Sequence, residues 1–515
     1  MRLRLSHRRA EQARVSRAAR MNIVEPILFQ ARHCPPAPAI CAPGATFGLI
    51  SYARLADLIN NVGRRAISLG LSRGQVVAIR VSDHIFHVTL ALGLINIGIV
   101  VVSTGSALPP RLRVDAMISD AQASVGAANA ARVIPADASW TSGDGRPPEA
   151  AQLHRGSGDD VYRICLTSGS TGEAKALELS HSLELARLAR YSHLFGSKFP
   201  ECSRFFSDLG LTSGIGFRQL LYVLSRGGMM MFPGATPMDT LQAFDLYKMQ
   251  GLVASPGALS AFVKFYEANA AFRSPFQVIM SAGSPLHDAL SEQVRARICS
   301  DLIFSYGTTE TSFVSSAPAQ ALTGTPGAVG YCAPDMSIEI VDGAGTLLPP
   351  GSEGSVRIRS PLNVRGYVGD AESSAALFYD GCFCTGDIGY VTKDKMLVIT
   401  GREKNVLNLG GDKVKPETIE TAIATFADVG EAAVFTRPND LGIDEVWALV
   451  VPKNGALDEA ALRRHCRGRL ADTHVPVRFI GVTALPRNAN GKVERRRLSE
   501  IAAAGQRVGE ATRRD

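Results

Sequence analysis

The sequence predicts an α/β protein with a large N-terminal domain of parallel α/β subdomains, a small β-barrel-like subdomain and a small α+β domain at the C-terminal end. Apolar, β-rich runs alternate with helix-patterned segments from Pro26 to about Ala130 and again after Leu183. This alternation is typical of βαβ units and a mainly parallel sheet. Between Gly330 and Ile399 the strands become short and alternating with glycine-rich turns, which favours an antiparallel sheet or small barrel. A helix–strand–strand–helix pattern follows.

Composition and charge restrict the class of protein. The chain has 515 residues, of which 46% are hydrophobic and 20% are charged, as is ordinary for a soluble globular protein of two or more domains. The formal net charge is +7, and residues 1–20, with seven arginines and one acidic residue, carry six of those charges. The rest of the chain is close to neutral, which argues against a broad nucleic-acid-binding face.

The arginine-rich residues 1–20 admit three interpretations. They could be an organellar transit peptide or a nucleic-acid-binding tail. They could also be a disordered extension ahead of an alternative start at Met21. Because no apolar face is sustained in this stretch, we predict a disordered extension.

Neither a membrane span nor a disulfide framework is predicted. The longest apolar stretch, His87 to Val102, is interrupted by Asn96 and by glycines, so we predict a buried helix followed by a buried strand. The nine cysteines have neither pairing nor metal-ligand spacing. We therefore expect free thiols in a reducing cytoplasm.

The first elements of the large domain follow from caps and periodicity. Ser51 is a suitable cap for a helix that continues to Leu69, and Gln75–Arg80 is a β-rich run. The alternation continues through Leu90–Ile97, Ile99–Val102 and Arg111–Ser119. Residues 131–158 are rich in Ala, Gly, Ser, Asp and Pro, so they predict a surface loop that leads into a buried strand, Val161–Leu166.

The later elements are predicted in the same way. A helix is predicted at Leu183–Leu194, and core strands at Gly228–Phe232, Leu252–Ser255 and Val278–Ser281. The short alternating strands are Ser337–Val341, Ser355–Ile358 and Met396–Thr400. The C-terminal part is predicted as helix Pro416–Phe426, strands Glu431–Thr436 and Glu445–Val451, and helix Asp458–Leu470. We place the boundary after Arg402, which gives domains at residues 21–402 and 403–515.

The segment Leu166–Lys175 has the chemistry of a phosphate-binding loop. It combines two glycines, four hydroxyl side chains and one lysine, namely Gly169, Gly172, Thr167, Ser168, Ser170, Thr171 and Lys175. Glycines let backbone N–H groups approach an anion, hydroxyls donate to its oxygens, and the lysine adds a point charge. The spacing is not that of a Walker loop. A polar surface turn between two strands is the alternative.

Three further segments carry candidate functional groups. In Ser305–Glu310, a carboxylate beside hydroxyls at a strand end can hold Mg²⁺ while the hydroxyls meet phosphate; an ordinary strand-to-turn segment is the alternative. In Phe383–Asp387, a carboxylate can accept the two vicinal hydroxyls of a ribose; an aspartate in a β-turn is the alternative. The basic residues of Leu485–Lys492 and Glu494–Arg497 are typical of a solvent-exposed face, or of a nucleic-acid-binding segment or a localisation signal.

Together these motifs resemble, in their order along the chain, the adenylate-forming superfamily of acyl-CoA synthetases, peptide-synthetase adenylation domains and luciferases. The resemblance extends from about Met21 to Leu498. It implies a large AMP-binding domain followed by a small mobile domain. It also implies ATP and Mg²⁺ as cofactors and coenzyme A as the acceptor substrate.

The resemblance implies a role for each motif residue of the large domain. The loop from Thr167 to Lys175 would grip the β- and γ-phosphates of ATP, although Ala174 and Ala176 stand where the family usually has proline and glycine. Glu310 and Thr167 would hold the metal, and Thr309 would contact the α-phosphate. The nucleotide-binding set also includes Gly283, Ser284, Tyr306, Gly307 and Thr308. In that set Tyr306 would stack on adenine, and the Gly283–Ser284 backbone would line it.

Further roles are implied toward the C-terminal end. Asp387 would take both ribose hydroxyls, and Arg402 would reach the ribose or a phosphate. Lys404 would be the inter-domain hinge, and Gly411 would let the pantetheine arm of CoA pass close to the backbone. Lys492 would bridge the substrate carboxylate and the α-phosphate. The predicted catalytic residues are Thr309, Glu310 and Lys492.

The predicted function is ligation of a carboxylic acid to CoA through an acyl-adenylate, with release of pyrophosphate and AMP. Two alternatives remain. In one, the acyl or aminoacyl group passes to a separate carrier protein. In the other, the chain binds a nucleotide without catalysis. The joint presence of five motif residues argues against this second alternative, namely Lys175, Glu310, Asp387, Arg402 and Lys492.

Overall fold

The computed structural model describes most of the chain. The described residues are 22–44, 48–105, 108–120, 129–154, 157–167, 174–194, 198–269, 271–403, 407–409, 412–438, 444–455, 457–488 and 491–503. The chain divides into two units. The first comprises Met1–Gly324, Gly330–Ser337 and Ile358–Phe383, and the second comprises Thr325–Val329, Ile338–Arg357 and Cys384–Asp515.

Strands and helices are numbered here in chain order. The strands up to residue 318 are β1 Pro38–Cys41, β2 Leu49–Ser51, β3 Val76–Arg80, β4 Val100–Ser103, β5 Ala116–Ser119, β6 Val133–Pro135, β7 Val161–Thr167, β8 Lys175–Ser180, β9 Arg204–Ser207, β10 Met229–Met231, β11 Gly251–Ala254, β12 Val278–Ala282, β13 Leu302–Thr308 and β14 Ser312–Pro318. The later strands are β15 Ala328–Cys332, β16 Ser337–Val341, β17 Gly354–Arg359, β18 Phe378–Tyr379, β19 Cys382–Val391, β20 Met396–Arg402, β21 Leu407–Leu409, β22 Asp412–Val414, β23 Val429–Pro438, β24 Asp444–Pro452 and β25 Arg478–Gly481. The α-helices are α1 Glu25–His33, α2 Tyr52–Ser68, α3 His84–Asn96, α4 His181–Leu194, α5 Lys198–Glu201, α6 Gly214–Ser225, α7 Pro237–Leu246, α8 Pro256–Ala268, α9 Asp288–Arg297, α10 Ala371–Leu377, α11 Pro416–Ala424 and α12 Glu459–Arg467.

A six-stranded sheet in the first unit has the order β6-β5-β3-β4-β7-β8. Its neighbours are parallel except for the last pair, β7 and β8. The Ser51 hydroxyl accepts a hydrogen bond from the Arg54 N–H and caps α2, as predicted. The predicted buried helix and strand between His87 and Val102 are confirmed as α3 and β4. In the described ranges, no helix is both long and apolar enough to cross a membrane.

In a second sheet, which has 14 strands among the described residues, the strands of the first unit follow the order β14-β13-β12-β11-β9-β10-β1-β2. Neighbours from β13 to β1 are parallel, whereas β14 and β2 pair antiparallel. The carboxyl ends of β9, β11, β12 and β13 therefore meet at one edge, where parallel α/β sheets bind ligands. The predicted segments Gly283–Ser284 and Thr308–Glu310 leave β12 and β13 at this edge.

One predicted loop is partly wrong. Residues 131–158 contain β6, which pairs parallel with β5, and a 3₁₀ turn at Ala138–Trp140. The Trp140 side chain is 1% exposed, and its indole N–H donates to the Pro135 carbonyl at 2.9 Å. Strand pairing and the burial of one large ring thus outweigh the polar composition of the stretch.

The second unit contains short strands in the order β16-β17-β19-β20-β15, a β21–β22 hairpin, and the sheet β23-β24-β25 with helices α11 and α12. The core of the last part includes Ile419, Ile423, Val434, Ala448 and Leu462. The predicted helices and strands are present here, with ends shifted by up to three residues. The α/β class with a small C-terminal α+β part is confirmed, and the domain boundary after Arg402 stays a prediction.

Candidate active site

The ends of the predicted phosphate loop lie opposite each other on paired strands. Thr167 ends β7, Lys175 begins β8, and the two residues are register partners. The Thr167 hydroxyl donates to the Lys175 carbonyl at 3.4 Å. The loop's inner residues, Ser168, Gly169, Ser170, Thr171 and Gly172, lie outside the described residues. The strand pairing therefore fixes where the predicted loop leaves and re-enters the sheet.

Lys175 lines a cavity of about 300 Å³ together with Arg111, Tyr367 and Asp370. The Lys175 Nζ lies 4.4 Å from the centre of the Tyr367 ring and 4.0 Å from Asp370 Oδ2, and an Arg111 guanidinium nitrogen lies 3.3 Å from Asp370 Oδ1. Hydrogen bonds from Ser373 chiefly, and then Lys175 and Arg111, lower the pKa of Asp370. The aromatic ring and the carboxylate together hold the lysine head in one region.

The predicted metal turn joins β13 to β14. The Thr308 hydroxyl accepts a hydrogen bond from the Thr311 N–H at 3.2 Å, which closes the turn around Glu310. A bulge lies at Tyr306 and Gly307. A Cβ at Gly307 would lie 2.2 Å from the Ser312 carbonyl oxygen, so the close approach of β13 and β14 requires glycine there.

Glu310 is 8% exposed, and its carboxylate accepts a hydrogen bond at Oε1 from the Tyr367 hydroxyl at 2.9 Å. Burial raises the pKa of Tyr367, and the nearby Glu310 raises it further. The phenol therefore stays protonated and donates. One carboxylate together with nucleotide phosphates and water is a donor set that suits Mg²⁺, so the Glu310 turn fits the predicted metal.

A buried arginine supports the same turn from the interior. Arg187 on α4 donates to the carbonyl oxygens of Thr309 at 3.2 Å, Glu310 at 2.7 Å and Leu362 at 2.8 Å. Burial, and then the nearby Arg218, lowers the pKa of Arg187 to about 10, so the guanidinium remains charged near neutral pH. Arg187 thus fixes the backbone of the two predicted catalytic residues of this turn.

The predicted adenine-lining residues follow β12 at the carboxyl edge of the sheet. Gly283 has a φ of +96°, a backbone conformation that favours glycine. Ser284 follows it, and Tyr306 lies on the adjacent strand β13. The first unit thus places Gly283, Ser284, Tyr306, Thr308, Thr309 and Glu310 on neighbouring strand ends.

In the second unit, Asp387 on β19 and Arg402 on β20 are register partners. Arg402 Nε lies 2.7 Å from Asp387 Oδ1, and the side chains are 44% and 3% exposed, respectively. The Asp387 N–H donates to the Thr385 hydroxyl at 3.0 Å. A buried carboxylate beside a half-exposed guanidinium can accept hydroxyl groups while its charge remains balanced.

Lys492 lies in a turn near the C-terminal end of the described residues. Its N–H donates to the Asn488 side-chain oxygen at 3.0 Å, and its carbonyl accepts from the Asn488 N–H at 2.9 Å. Arg487 anchors this turn to β23 through Glu431 at 2.8 Å. The predicted hinge Lys404 and the predicted CoA-contacting Gly411 lie outside the described residues.

Sequence reasoning missed Arg187, Tyr367 and Asp370. The sequence gives one indication for Arg187, because the residue lies on the buried face of α4. It is three residues after the buried Glu184 and one before the buried Leu188. A charged residue at a core position of a helix indicates a specific partner. Tyr367 and Asp370 carried no comparable signal, since their contacts join segments far apart in the sequence.

Comparisons with known proteins agree with the predicted family. Residues 29–368 match the AMP-binding enzyme family, and residues 418–492 match the AMP-binding enzyme C-terminal domain. The chain is 29% identical over 355 residues to an indoleacetate–CoA ligase from Aromatoleum aromaticum, covering 66% of this chain and 67% of that protein. It is 26% identical over 496 residues to a 3-hydroxybenzoate–CoA ligase from an Aromatoleum species, covering 89% and 92%.

Solved structures share the architecture. The ATP-bound structure of MatB from Rhodopseudomonas palustris is 25% identical, with a TM-score of 0.77 over 93% of this chain and 99% of that one. The family match covers well over half of the chain and includes the strands and turns that hold Lys175 and Glu310. The chain therefore belongs to the AMP-binding enzyme family, within the adenylate-forming superfamily that includes acyl-CoA synthetases.

Proposed function

We propose that this protein is an ATP-dependent carboxylic acid–CoA ligase that forms an acyl-adenylate and then an acyl-CoA thioester. The observation that carries the proposal is that Lys175 and Glu310 lie against opposite parts of one side chain, Tyr367. A cation suited to phosphate and a carboxylate suited to a metal are thereby held close together on one unit. The names of the related CoA ligases support CoA as the acceptor.

In the first step, a carboxylate oxygen of the acid attacks the α-phosphorus of ATP, and the bond to pyrophosphate breaks. Lys175 and the hydroxyls of the loop would bind the departing phosphates. Glu310 and Thr167 would hold Mg²⁺, which supplies neutralisation of phosphate charge when bound. Thr309 would donate to the α-phosphate, and Lys492 would stabilise the charge between the carboxylate and phosphorus.

In the second step, the CoA sulfur attacks the acyl carbon of the adenylate, and the bond to AMP breaks. Asp387 and Arg402 would hold the ribose of the AMP group through both steps. Rotation of the C-terminal domain about Lys404 would withdraw Lys492, and Gly411 would leave space for the pantetheine arm. Catalysis of this kind is mainly positioning and electrostatic stabilisation.

The role of Lys492 separates the two steps experimentally. Lys492→Ala is expected to lower acid-dependent ATP–pyrophosphate exchange by about a hundredfold to a thousandfold, because one charge-stabilising donor is lost. Thioester formation from supplied acyl-adenylate should change little, since adenylation is then already complete. The two rates are measured with the same panel of carboxylic acids, which also identifies the acid.

Lys264→Ala is the matched control, because Lys264 is an exposed lysine on α8. It should retain both activities. Normal exchange in Lys492→Ala would contradict the assignment of Lys492. Thioester formation with a phosphopantetheinylated carrier protein but not with free CoA would replace CoA by a carrier as the acceptor. Absence of exchange with every acid in the wild-type protein would contradict the ligase proposal.

A further inference from the structure

One segment of the first unit, Leu362–Asp370, connects the metal turn to the base of the phosphate loop. At its start, the Leu362 carbonyl accepts from Arg187, and the Val364 N–H donates to the Glu310 carbonyl at 3.0 Å. At its end, the Val368 N–H donates to the Ala176 carbonyl at 2.9 Å, and Asp370 lies 4.0 Å from Lys175 Nζ. Main-chain hydrogen bonds thus tie the segment to both predicted ATP-binding elements.

Tyr367 is the side chain at the centre of this connection. It is 9% exposed, and an edge contact with Phe378, at 5.3 Å between ring centres, fixes the ring. The hydroxyl reaches the Glu310 carboxylate, whereas the ring face lies under the Lys175 ammonium. The hydroxyl and the ring therefore make two separable contacts, one with each predicted ligand-binding side chain.

We propose that Tyr367 is a positioning residue that couples the metal-binding carboxylate of Glu310 to the phosphate-binding ammonium of Lys175. The inference rests on the proposed function, because it assumes that Glu310 holds the metal and Lys175 contacts phosphate. Tyr367 acts through these two residues and takes no proton from the substrate.

The physical reason is that both partners have long, rotatable side chains. A glutamate carboxylate free to rotate binds a metal less well than one whose orientation is fixed by an outer hydrogen bond. The ammonium of a lysine is likewise kept in place when it lies over an aromatic face. Because one rigid ring makes both contacts, the distance between metal ligand and phosphate ligand is set by a single side chain.

Two variants separate the contacts. Tyr367→Phe removes the hydroxyl and keeps the ring, whereas Tyr367→Leu removes both. For each protein, Mn²⁺ affinity is measured by electron paramagnetic resonance in the presence of a non-hydrolysable ATP analogue. Affinity for the same analogue without metal is measured by calorimetry in EDTA. The first measurement reports metal binding at Glu310, and the second reports phosphate binding at Lys175.

Tyr367→Phe is expected to weaken Mn²⁺ binding by about tenfold, as loss of an outer-shell partner does, while metal-free analogue binding stays unchanged. Tyr367→Leu is expected to weaken Mn²⁺ binding similarly and metal-free analogue binding by about fivefold, because the cation–π contact is lost. Unchanged Mn²⁺ affinity in the Phe variant would overturn the proposal. Equal metal-free affinities in all three proteins would also overturn it.

Two further variants distinguish failure of this inference from failure of the proposed function. Glu310→Gln should weaken Mn²⁺ binding, and Lys175→Met should weaken metal-free analogue binding. If these two variants lose affinity as expected and Tyr367→Phe keeps wild-type Mn²⁺ affinity, the proposed coupling is wrong and the proposed ATP site is supported. If Glu310→Gln leaves Mn²⁺ binding intact, the metal site itself is wrong. If the Leu variant does not fold, the Phe variant alone decides through its Mn²⁺ affinity.

Discussion

At the scale of single residues, Arg187 places a positive charge in the interior with carbonyl oxygens as its hydrogen-bond acceptors. It is 1% exposed, and the three carbonyls it contacts belong to Thr309, Glu310 and Leu362. A buried charge is tolerated only when its donors are satisfied. Here the satisfied donors also hold the turn that is predicted to bind the metal, so we expect stability and activity to depend on the same contacts.

Arg187→Met should therefore reduce both properties. Removal of the guanidinium takes one donor from the partly buried Thr309 and Leu362 carbonyls and leaves the Glu310 carbonyl with the Val364 N–H, which costs about 3 kcal/mol of unfolding free energy. The urea midpoint measures the loss of stability, and ATP–pyrophosphate exchange should fall because Thr309 and Glu310 lose their backbone support. Arg146→Met is the control, since the Arg146 side chain is 81% exposed. A wild-type urea midpoint in Arg187→Met would contradict this account.

At the scale of elements, a histidine anchors the segment that begins α1. The Ile23 N–H donates to His181 Nδ1 at 3.0 Å, and the Asn22 side chain donates to the His154 carbonyl at 3.3 Å. His154 stacks on His181 with ring centres 5.1 Å apart, and Asp160 lies 3.3 Å from His154 Nε2. Because Nδ1 must accept a hydrogen bond, the anchor requires an unprotonated nitrogen at that position.

This anchor predicts acid sensitivity of the N-terminal segment. Burial, and then His154, lowers the pKa of His181 to about 4, whereas Asp160 acts in the opposite direction. An unfolded histidine titrates near 6.5. Stability from this group is therefore complete above about pH 6.5 and is lost as the pH falls toward 4, by up to about 3 kcal/mol.

The measurement is hydrogen exchange of residues 22–33 together with urea midpoints at pH 7.5, 5.5 and 4.5. Exchange at these residues should accelerate as the pH falls, after correction for the intrinsic rate. His181→Gln should flatten only part of the stability profile, because burial also lowers the pKa of His87 to about 4. Protection of residues 22–33 that is independent of pH would contradict the role of His181.

Elements with local signals could be predicted from the sequence. The Ser51 cap, the mostly apolar helix α3 and the short strands of the second unit follow from residue types at short spacing. Strand β6 could not be predicted, because its stability depends on pairing with β5. The motifs predict which residues would contact the nucleotide, and this stays a prediction. The contacts of Tyr367 and Arg187 depend instead on packing between distant segments.

At the scale of the whole molecule, each unit carries part of the predicted nucleotide-binding set. The first has Lys175 and Glu310, and the second has Asp387 and Arg402. Under the proposed function, the folded protein binds Mg²⁺ and ATP. Ligand binding to the folded state alone raises its stability by mass action.

Mg²⁺ and ATP together should therefore raise the midpoint of thermal unfolding. At a ligand concentration 100 times Kd, the added stability is about 2.7 kcal/mol. Differential scanning fluorimetry with Mg²⁺ alone, ATP in EDTA, and both together provides the comparison. The combined addition should give the largest shift. Equal shifts for ATP with and without Mg²⁺ would contradict metal-assisted binding.

The hydrogen bonds of Asn22 and Ile23 also determine where the protein can be shortened or fused at its N-terminal end. Asn22 and Ile23 contact the rest of the first unit, Asn22 through its side chain and Ile23 through its main chain. A shortened protein that starts at Met21 keeps all of these contacts, whereas one that starts at Glu25 loses them. An affinity tag or fusion partner is accordingly best joined before Met21 through a flexible linker, so that the first buried turn can still form.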